Sequence, residues 1–126
     1  MKQAKKSFSL FVLAVFLLSA FTSQAREQPS YDGAAIAVVS LAGLPAEARD
    51  TFQLIKQGGP FPYPRDGIVF SNREHRLPEQ SRGYYREYTV KTPGVQHRGA
   101  RRIVCGVVPE CYYTSDHYRT FKRIRE

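Results

Sequence analysis

Four side chains in the last forty residues of this 126-residue chain could together open a phosphodiester without a metal. Glu87 lies in Gly83-Tyr84-Tyr85-Arg86-Glu87-Tyr88-Thr89-Val90, Arg98 and Arg102 in Arg98-Gly99-Ala100-Arg101-Arg102, and His117 in Asp116-His117-Tyr118. They supply one carboxylate, two guanidinium groups and one imidazole. A phosphodiester flanked by a ribose 2′-hydroxyl carries its own nucleophile. Its cleavage takes a base for that hydroxyl, fixed positive charge for the phosphate and an acid for the departing oxygen. Singly, each residue has a structural explanation, as a solvated strand Glu, surface arginines after a turn and a structural His. The combination says more than its members.

The elements that must hold these groups follow from apolar periodicity. One helix is predicted between Pro45 in its first turn, with Glu47 placing negative charge near the N-terminus, and the stop Gly58-Gly59-Pro60. Ala48, Phe52 and Ile55 recur at i, i+4 and i+7, so one face is apolar. Upstream, residues 34–40 form a first strand or an extended entry. Downstream, strands are predicted over residues 67–70, 83–91, 101–106, 111–114 and 118–124. Helix first and hairpin-linked strands after it indicate an α+β domain, with the helix packed on a twisted antiparallel sheet of about five strands. Strand alternation puts Tyr85, Glu87 and Thr89 on one face and Tyr84, Arg86, Tyr88 and Val90 on the other. If the second face packs on the helix, Glu87 looks onto the open face and Arg86 must reach out from the core side.

The start of the chain reads as an export signal: Lys2, Lys5 and Lys6, an apolar run over residues 10–18, and Ser23-Gln24-Ala25 as a cleavage site. That run is short of the ~20 residues a membrane span needs. Residues 1–25 are therefore the expected signal peptide and 26–126 a single domain, with 26–35 a loosely ordered lead. Only three of the 19 Lys and Arg precede residue 26, and none of the 11 Asp and Glu do, so the mature part keeps a net charge of about +5. That sign suits a polyanion or an anionic surface. Cys105 and Cys111 are the only cysteines, and an exported compartment favours a disulfide between them across the turn-like Gly106-Val107-Val108-Pro109-Glu110. Two thiols fall short of a structural zinc site, so no metal is expected.

Ser71-Asn72-Arg73-Glu74 follows Phe70 at a strand end. It can be a polar loop in which Asn72 tolerates an unusual backbone conformation. It can also turn amide N–H groups toward a base oxygen while a carboxylate accepts from neighbouring ring and amino N–H groups, the edge pattern of guanine.

With that loop, the sequence resembles the secreted guanyl-specific microbial ribonucleases, the family of barnase and the small Streptomyces ribonucleases. The resemblance rests on Gly59-Pro60-Phe61-Pro62-Tyr63, Asp66-Gly67-Ile68-Val69-Phe70-Ser71-Asn72-Arg73-Glu74, Leu77-Pro78, Tyr84-Tyr85-Arg86-Glu87-Tyr88-Thr89-Val90, Thr92-Pro93-Gly94, Arg98-Gly99-Ala100-Arg101-Arg102-Ile103-Val104 and Tyr112-Tyr113-Thr114-Ser115-Asp116-His117-Tyr118. These run in order from about Leu44 to Ile124.

The resemblance implies the microbial ribonuclease fold and a role for each matching position. Glu87 is the implied general base and His117 the implied general acid. Arg98 and Arg102 bind the scissile phosphate, and Tyr118 lies beside it. Asn72 and Arg73 offer backbone donors to guanine O6, Glu74 binds N1–H and N2–H2, Ser71 belongs to the same loop, and Phe70 or Tyr118 flanks the base. The implied activity is cleavage of single-stranded RNA 3′ of guanosine through a 2′,3′-cyclic phosphate, with no cofactor. The implied protein is a secreted or periplasmic monomer, free of the membrane once the signal is cut, with a barstar-like inhibitor as a possible partner. Alternatives are a non-catalytic basic RNA-binding module, or the same chemistry used as a delivered toxin. The Streptomyces enzymes join their chain ends by a disulfide. Here Ser40 stands near the first of those positions and no cysteine lies near Glu126, while His75 and His97 match no required role and read as surface residues.

Overall fold

Ala48 and Phe52, one turn apart on a single helix, are both buried, and the side they share closes over a sheet. The computed structural model describes residues 35–108 and 110–126. The export signal expected over 1–25 and nearly all of the lead expected over 26–35 lie outside the described residues. The helix is α1 (Ala46–Gln57). Pro45 sits at its N-cap, one position earlier than predicted, with Glu47 in the first turn and Lys56 in the last. Gly58 ends it in the left-handed conformation (φ 79°), its N–H donating to the Ile55 carbonyl while Gly59 N–H reaches the Leu54 carbonyl.

Among the described residues six strands make one sheet: β1 (Ala37–Ser40), β2 (Ile68–Phe70), β3 (Tyr85–Thr89), β4 (Arg102–Cys105), β5 (Cys111–Thr114) and β6 (Lys122–Arg125), in the order β1-β6-β5-β4-β3-β2. The five strands from β2 to β6 pair antiparallel, as the hairpin pattern predicts. The sixth is a correction to that expectation: β1 joins the far edge parallel to β6, Ala37 opposite Lys122 and Ser40 opposite Arg125. A parallel partner some eighty residues away leaves no turn signal in the sequence, so hairpin spacing predicts only about five strands. The last strand is also shorter than predicted. It begins at Lys122, because residues 117–120 are held in a turn.

The two sheet faces carry separate cores. Between α1 and the sheet, Leu44, Ala48, Phe52, Val90, Ile103, Cys105, Tyr113 and Ile124 pack together, with Tyr88 against them. On the other face Leu77, Tyr85, Val104, Tyr112 and Phe121 pack together under the loop after β2 and the turn before β6. Tyr88 and Val90 thus face the helix as alternation requires. Tyr84 does not: it lies outside β3, stands edge-on to Tyr85 and donates to Glu110 Oε1 at 2.8 Å, so it packs against the second cluster. Arg86 reaches solvent, with Nη1 donating to the Gly67 carbonyl at 2.9 Å. The face that carries Glu87 is less open than expected, since loops cover it and Glu87 is buried. Cys105 and Cys111 are opposite each other in the β4–β5 register and form a disulfide.

Candidate active site

Glu87 leaves β3 on the face away from the helix, opposite Val104 of β4, and is 7% exposed. A buried carboxylate needs donors. The Tyr118 hydroxyl donates to Glu87 Oε2 at 2.9 Å, and Arg98 Nη2 stands 3.6 Å from Oε1. Two residues along the same face, Thr89 accepts from Arg98 Nε at 2.9 Å through its hydroxyl, which aims the guanidinium at the carboxylate. Arg98 Nη2 is buried and has no hydrogen-bond partner among the described residues. Such a donor is well placed for an anionic oxygen.

Arg102 opens β4 between Thr89 and Thr114, so the period-two alternation that places Glu87 also places this guanidinium. It is 3% exposed, and its Nε donates to the Tyr118 hydroxyl at 3.1 Å. Its Nη1 turns back to the carbonyls of Gly99 (3.0 Å) and Arg101 (2.7 Å), bracing the turn that carries Arg98. That turn requires Gly99: its φ is 64°, and a Cβ there would come within 2.4 Å of Thr92 Oγ1.

Tyr118 is therefore the hub, donating to Glu87 and accepting from Arg102. Burial first, and then the neighbouring Glu87 carboxylate, raise its phenol above the ordinary value of 10, so it holds its proton at neutral pH. His117 and Tyr118 both have positive φ (55° and 69°), a strained conformation for such residues. Several bonds hold them there. Tyr118 N–H donates to Thr114 Oγ1 at 3.1 Å and His117 N–H to the Ala100 carbonyl at 3.0 Å. Asp116 accepts from the Thr114 hydroxyl (2.9 Å), Thr120 N–H (2.9 Å) and the Thr120 hydroxyl (2.7 Å). Desolvation pushes the Asp116 carboxyl up, but the bonds from Thr120 and Thr114 outweigh it and bring its pKa to about 2. The His117 imidazole is exposed at the rim, 4.8 Å from the Tyr118 ring.

The loop after β2 forms the wall beside this network. Asn72 has φ 52° and is 8% exposed. Its side chain fastens the loop from inside, Nδ2 donating to the Leu77 carbonyl at 2.9 Å and Oδ1 accepting from Leu77 N–H at 3.1 Å. Phe70, residues 71–74, Arg76, Tyr118 and Phe121 line a cavity of about 180 Å³. Exposed Glu74 is held by Arg76 Nε at 2.8 Å. The Phe70 and Tyr118 rings stack on each other with centroids 5.1 Å apart, closer than the ~7 Å that two successive van der Waals contacts would need for a base between them. A larger cleft of about 620 Å³, lined by Phe52, Ile55, the disulfide and Ile124, is on the helix side and contains none of these groups.

Glu87, Arg98, Arg102 and Tyr118 thus form one network, with His117 at its edge and the loop from Phe70 to Glu74 adjoining it through Tyr118. His75 and His97 are exposed, and His97 Nδ1 accepts from Gly99 N–H at 2.9 Å. The sequence reading missed Thr89, Thr114, Asp116 and Arg76. Thr89 was findable, being two residues from Glu87 on one strand face. The Asp116 bonds to Thr114 and Thr120 depend on a turn whose residues 118–120 have strand-like composition.

A family model described as ribonuclease matches residues 26–125. Guanyl-specific ribonuclease St of Saccharopolyspora erythraea is 55% identical over 96 residues, covering 76% of this chain and 95% of the relative. Guanyl-specific ribonuclease Sa of Kitasatospora aureofaciens is 60% identical over 87 residues, covering 68% of this chain and 91% of the relative. Among solved structures, ribonuclease Sa2 with guanosine-2′-cyclophosphate superposes with a TM-score of 0.70 at 53% identity, covering 72% of this chain and 97% of that one. With a matched sequence from residue 26 to 125, a helix on a six-stranded sheet and relatives matched over nearly their whole length, this chain belongs to the ribonuclease family.

Proposed function

We propose that this protein is an endoribonuclease that cleaves single-stranded RNA on the 3′ side of guanosine, in two steps and without a metal. Glu87 takes the proton of the 2′-hydroxyl, whose oxygen attacks the adjacent phosphorus. His117 protonates the departing 5′-oxygen, giving a 2′,3′-cyclic phosphate and a free 5′-hydroxyl. Water then attacks the cyclic phosphate with the two residues in exchanged roles, and a 3′-phosphate results. Arg98 Nη2, buried and without a hydrogen-bond partner among the described residues, and the Arg102 guanidinium stabilise the charge that grows on the phosphate oxygens. Tyr118 occupies one oxygen of Glu87 and leaves the other for the proton. DNA lacks the 2′-hydroxyl and is left intact.

The observation that carries this reading is the double membership of Tyr118, which bonds Glu87 and Arg102 and also lines the cavity beside residues 70–74. A base recognised in that cavity has its own 3′-phosphate within reach of the network. Backbone N–H groups of Asn72 and Arg73 serve guanine O6. Glu74 accepts from N1–H and N2–H2 once it leaves Arg76, an exposed pair worth ~0–1 kcal/mol. Relatives matched over nearly their whole length bear the name guanyl-specific ribonuclease, which supports the same base preference. The expected export signal and the disulfide support a secreted or periplasmic location. A barstar-like inhibitor would set carboxylates against the same two arginines.

The test is an oligoribonucleotide containing one G, incubated with the mature protein. A single cut is expected, leaving a cyclic or 3′-phosphate on G, with a loss of about 10² to 10⁴ in rate for Glu87→Ala and for His117→Ala. Wild-type rates in both variants would sink the mechanism, and an uncut strand would favour a binding module.

A further inference from the structure

Adjoining the base cavity is a second cleft, about 550 Å³, whose walls include Val69, Arg73, Gln80, Ser81 and Arg82. The two clefts share the segment from Phe70 to Arg73 as a common wall. Among the described residues no carboxylate lines this second cleft. Arg73 and Arg82 are exposed, and their guanidinium groups have no hydrogen-bond or ion-pair partner among the described residues. Nearby arginines are engaged: Arg76 is neutralised by Glu74, and Arg86 donates to the Gly67 carbonyl. Gln80 and Ser81 add neutral polar groups, and Val69, 41% exposed, adds an apolar ledge. Two free cations, neutral donors and a small apolar surface fit a phosphodiester with an attached nucleoside.

The order of sites across the surface gives the polarity. The network around Glu87 is built on β3 and β4, the base cavity starts at Phe70, the last residue of β2, and β2 is the edge of the sheet. The second cleft takes Val69 and Phe70 from that edge strand and Tyr85 from the start of β3, and adjoins the base cavity through residues 70–73. An RNA strand with its scissile 3′-phosphate at the Glu87 network and its guanine in the middle cavity has only its 5′ extension left to reach it. We propose that this cleft binds the nucleotide on the 5′ side of the recognised guanosine, with Arg82 and Arg73 holding the intervening phosphate. The proposal rests on the ribonuclease reading above and extends its substrate from a single nucleotide to a strand with a defined 5′ neighbour.

Arg82→Gln is the informative variant, since Arg82 is exposed, unbonded and outside the proposed catalytic and base-binding residues. Cleavage of GpU is compared with that of UpUpGpU and GpUpUpU. For the wild type, 5′ extension should raise kcat/KM by roughly 3- to 10-fold, the worth of one exposed charge-assisted contact. Arg82→Gln should lose that gain, cleave GpU at the wild-type rate and flatten the salt dependence on UpUpGpU by about 0.7 in log–log slope. The proposal is overturned if 5′ extension brings the wild type no gain, if the variant keeps the gain, or if the variant instead loses a gain specific to GpUpUpU. Failure of the wild type to cut GpU at all would refute the ribonuclease reading itself, a separate result.

Discussion

Replacing Tyr118 with Phe removes one oxygen from the centre of the site and leaves the ring in place. The ring contacts to Phe70 at 5.1 Å and His117 at 4.8 Å remain, so the base cavity and the approach of the imidazole keep their shape. What disappears is the donor to Glu87 Oε2 at 2.9 Å and the acceptor for Arg102 Nε at 3.1 Å. Both partners are charged and both are buried, and a hydrogen bond to a charged group is worth about 1.5–3 kcal/mol. Water entering from the cleft recovers part of each, and the carboxylate is left free to turn toward Arg98. A net loss of roughly 1.5–3 kcal/mol in transition-state stabilisation corresponds to about a 10- to 150-fold fall in kcat/KM. The assay is cleavage of the single-G oligonucleotide under kcat/KM conditions, with thermal unfolding to verify the fold. A variant within twofold of wild type would refute the reasoning, because it would show that Glu87 and Arg102 hold their positions without the hydroxyl.

Gly99→Ala puts a Cβ 2.4 Å from Thr92 Oγ1 at a φ of 64°, so it should lower stability by about 1–3 kcal/mol in urea denaturation and reduce kcat by displacing Arg98. Combining it with Thr92→Gly should recover part of the loss. The Cys105–Cys111 disulfide closes a short loop, the two cysteines being six positions apart, so chain entropy gives about 2 kcal/mol. Cys105→Ser/Cys111→Ser should lower Tm by roughly 8–16 °C and leave kcat at 25 °C within about twofold, since the pair lies under the helix side of the sheet. The Asp116 carboxyl falls from 3.8 to about 2 on folding, so its contribution to stability is complete above pH 3.8 and is lost as the pH drops through 2. Acid titration of Asp116→Asn should lack that part of the pH dependence, and its kcat should fall as His117 and Tyr118 leave their positive-φ conformations.

Much of the scaffold is legible because it is local. The helix shows in the spacing of Ala48, Phe52 and Ile55 and in its glycine stop, and β2 to β5 show in hairpin spacing and strand composition. The parallel β1 does not, since its partner is at the other end of the chain. The turn at residues 117–120 was also hidden: Tyr118 and Phe121 have strand-like side chains, and the bonds to Asp116 and Thr114 override that preference. Tyr84 shows the same limit, because alternation holds only inside the strand that begins at Tyr85.

The sequence by itself determined which groups could do chemistry, the strand face that Glu87 takes and the family, because residue type, period-two alternation and motif order are properties of a line of residues. Only the tertiary structure decided that this face is a covered cleft, that Tyr118 joins Glu87 to Arg102, that Asp116 and Thr114 hold the turn bearing His117, and that a cationic cleft adjoins the base cavity. Each of these depends on segments brought together from different strands and loops, and hydrogen-bond geometry between such segments is set by sheet register and turn conformation, which no short stretch of sequence specifies.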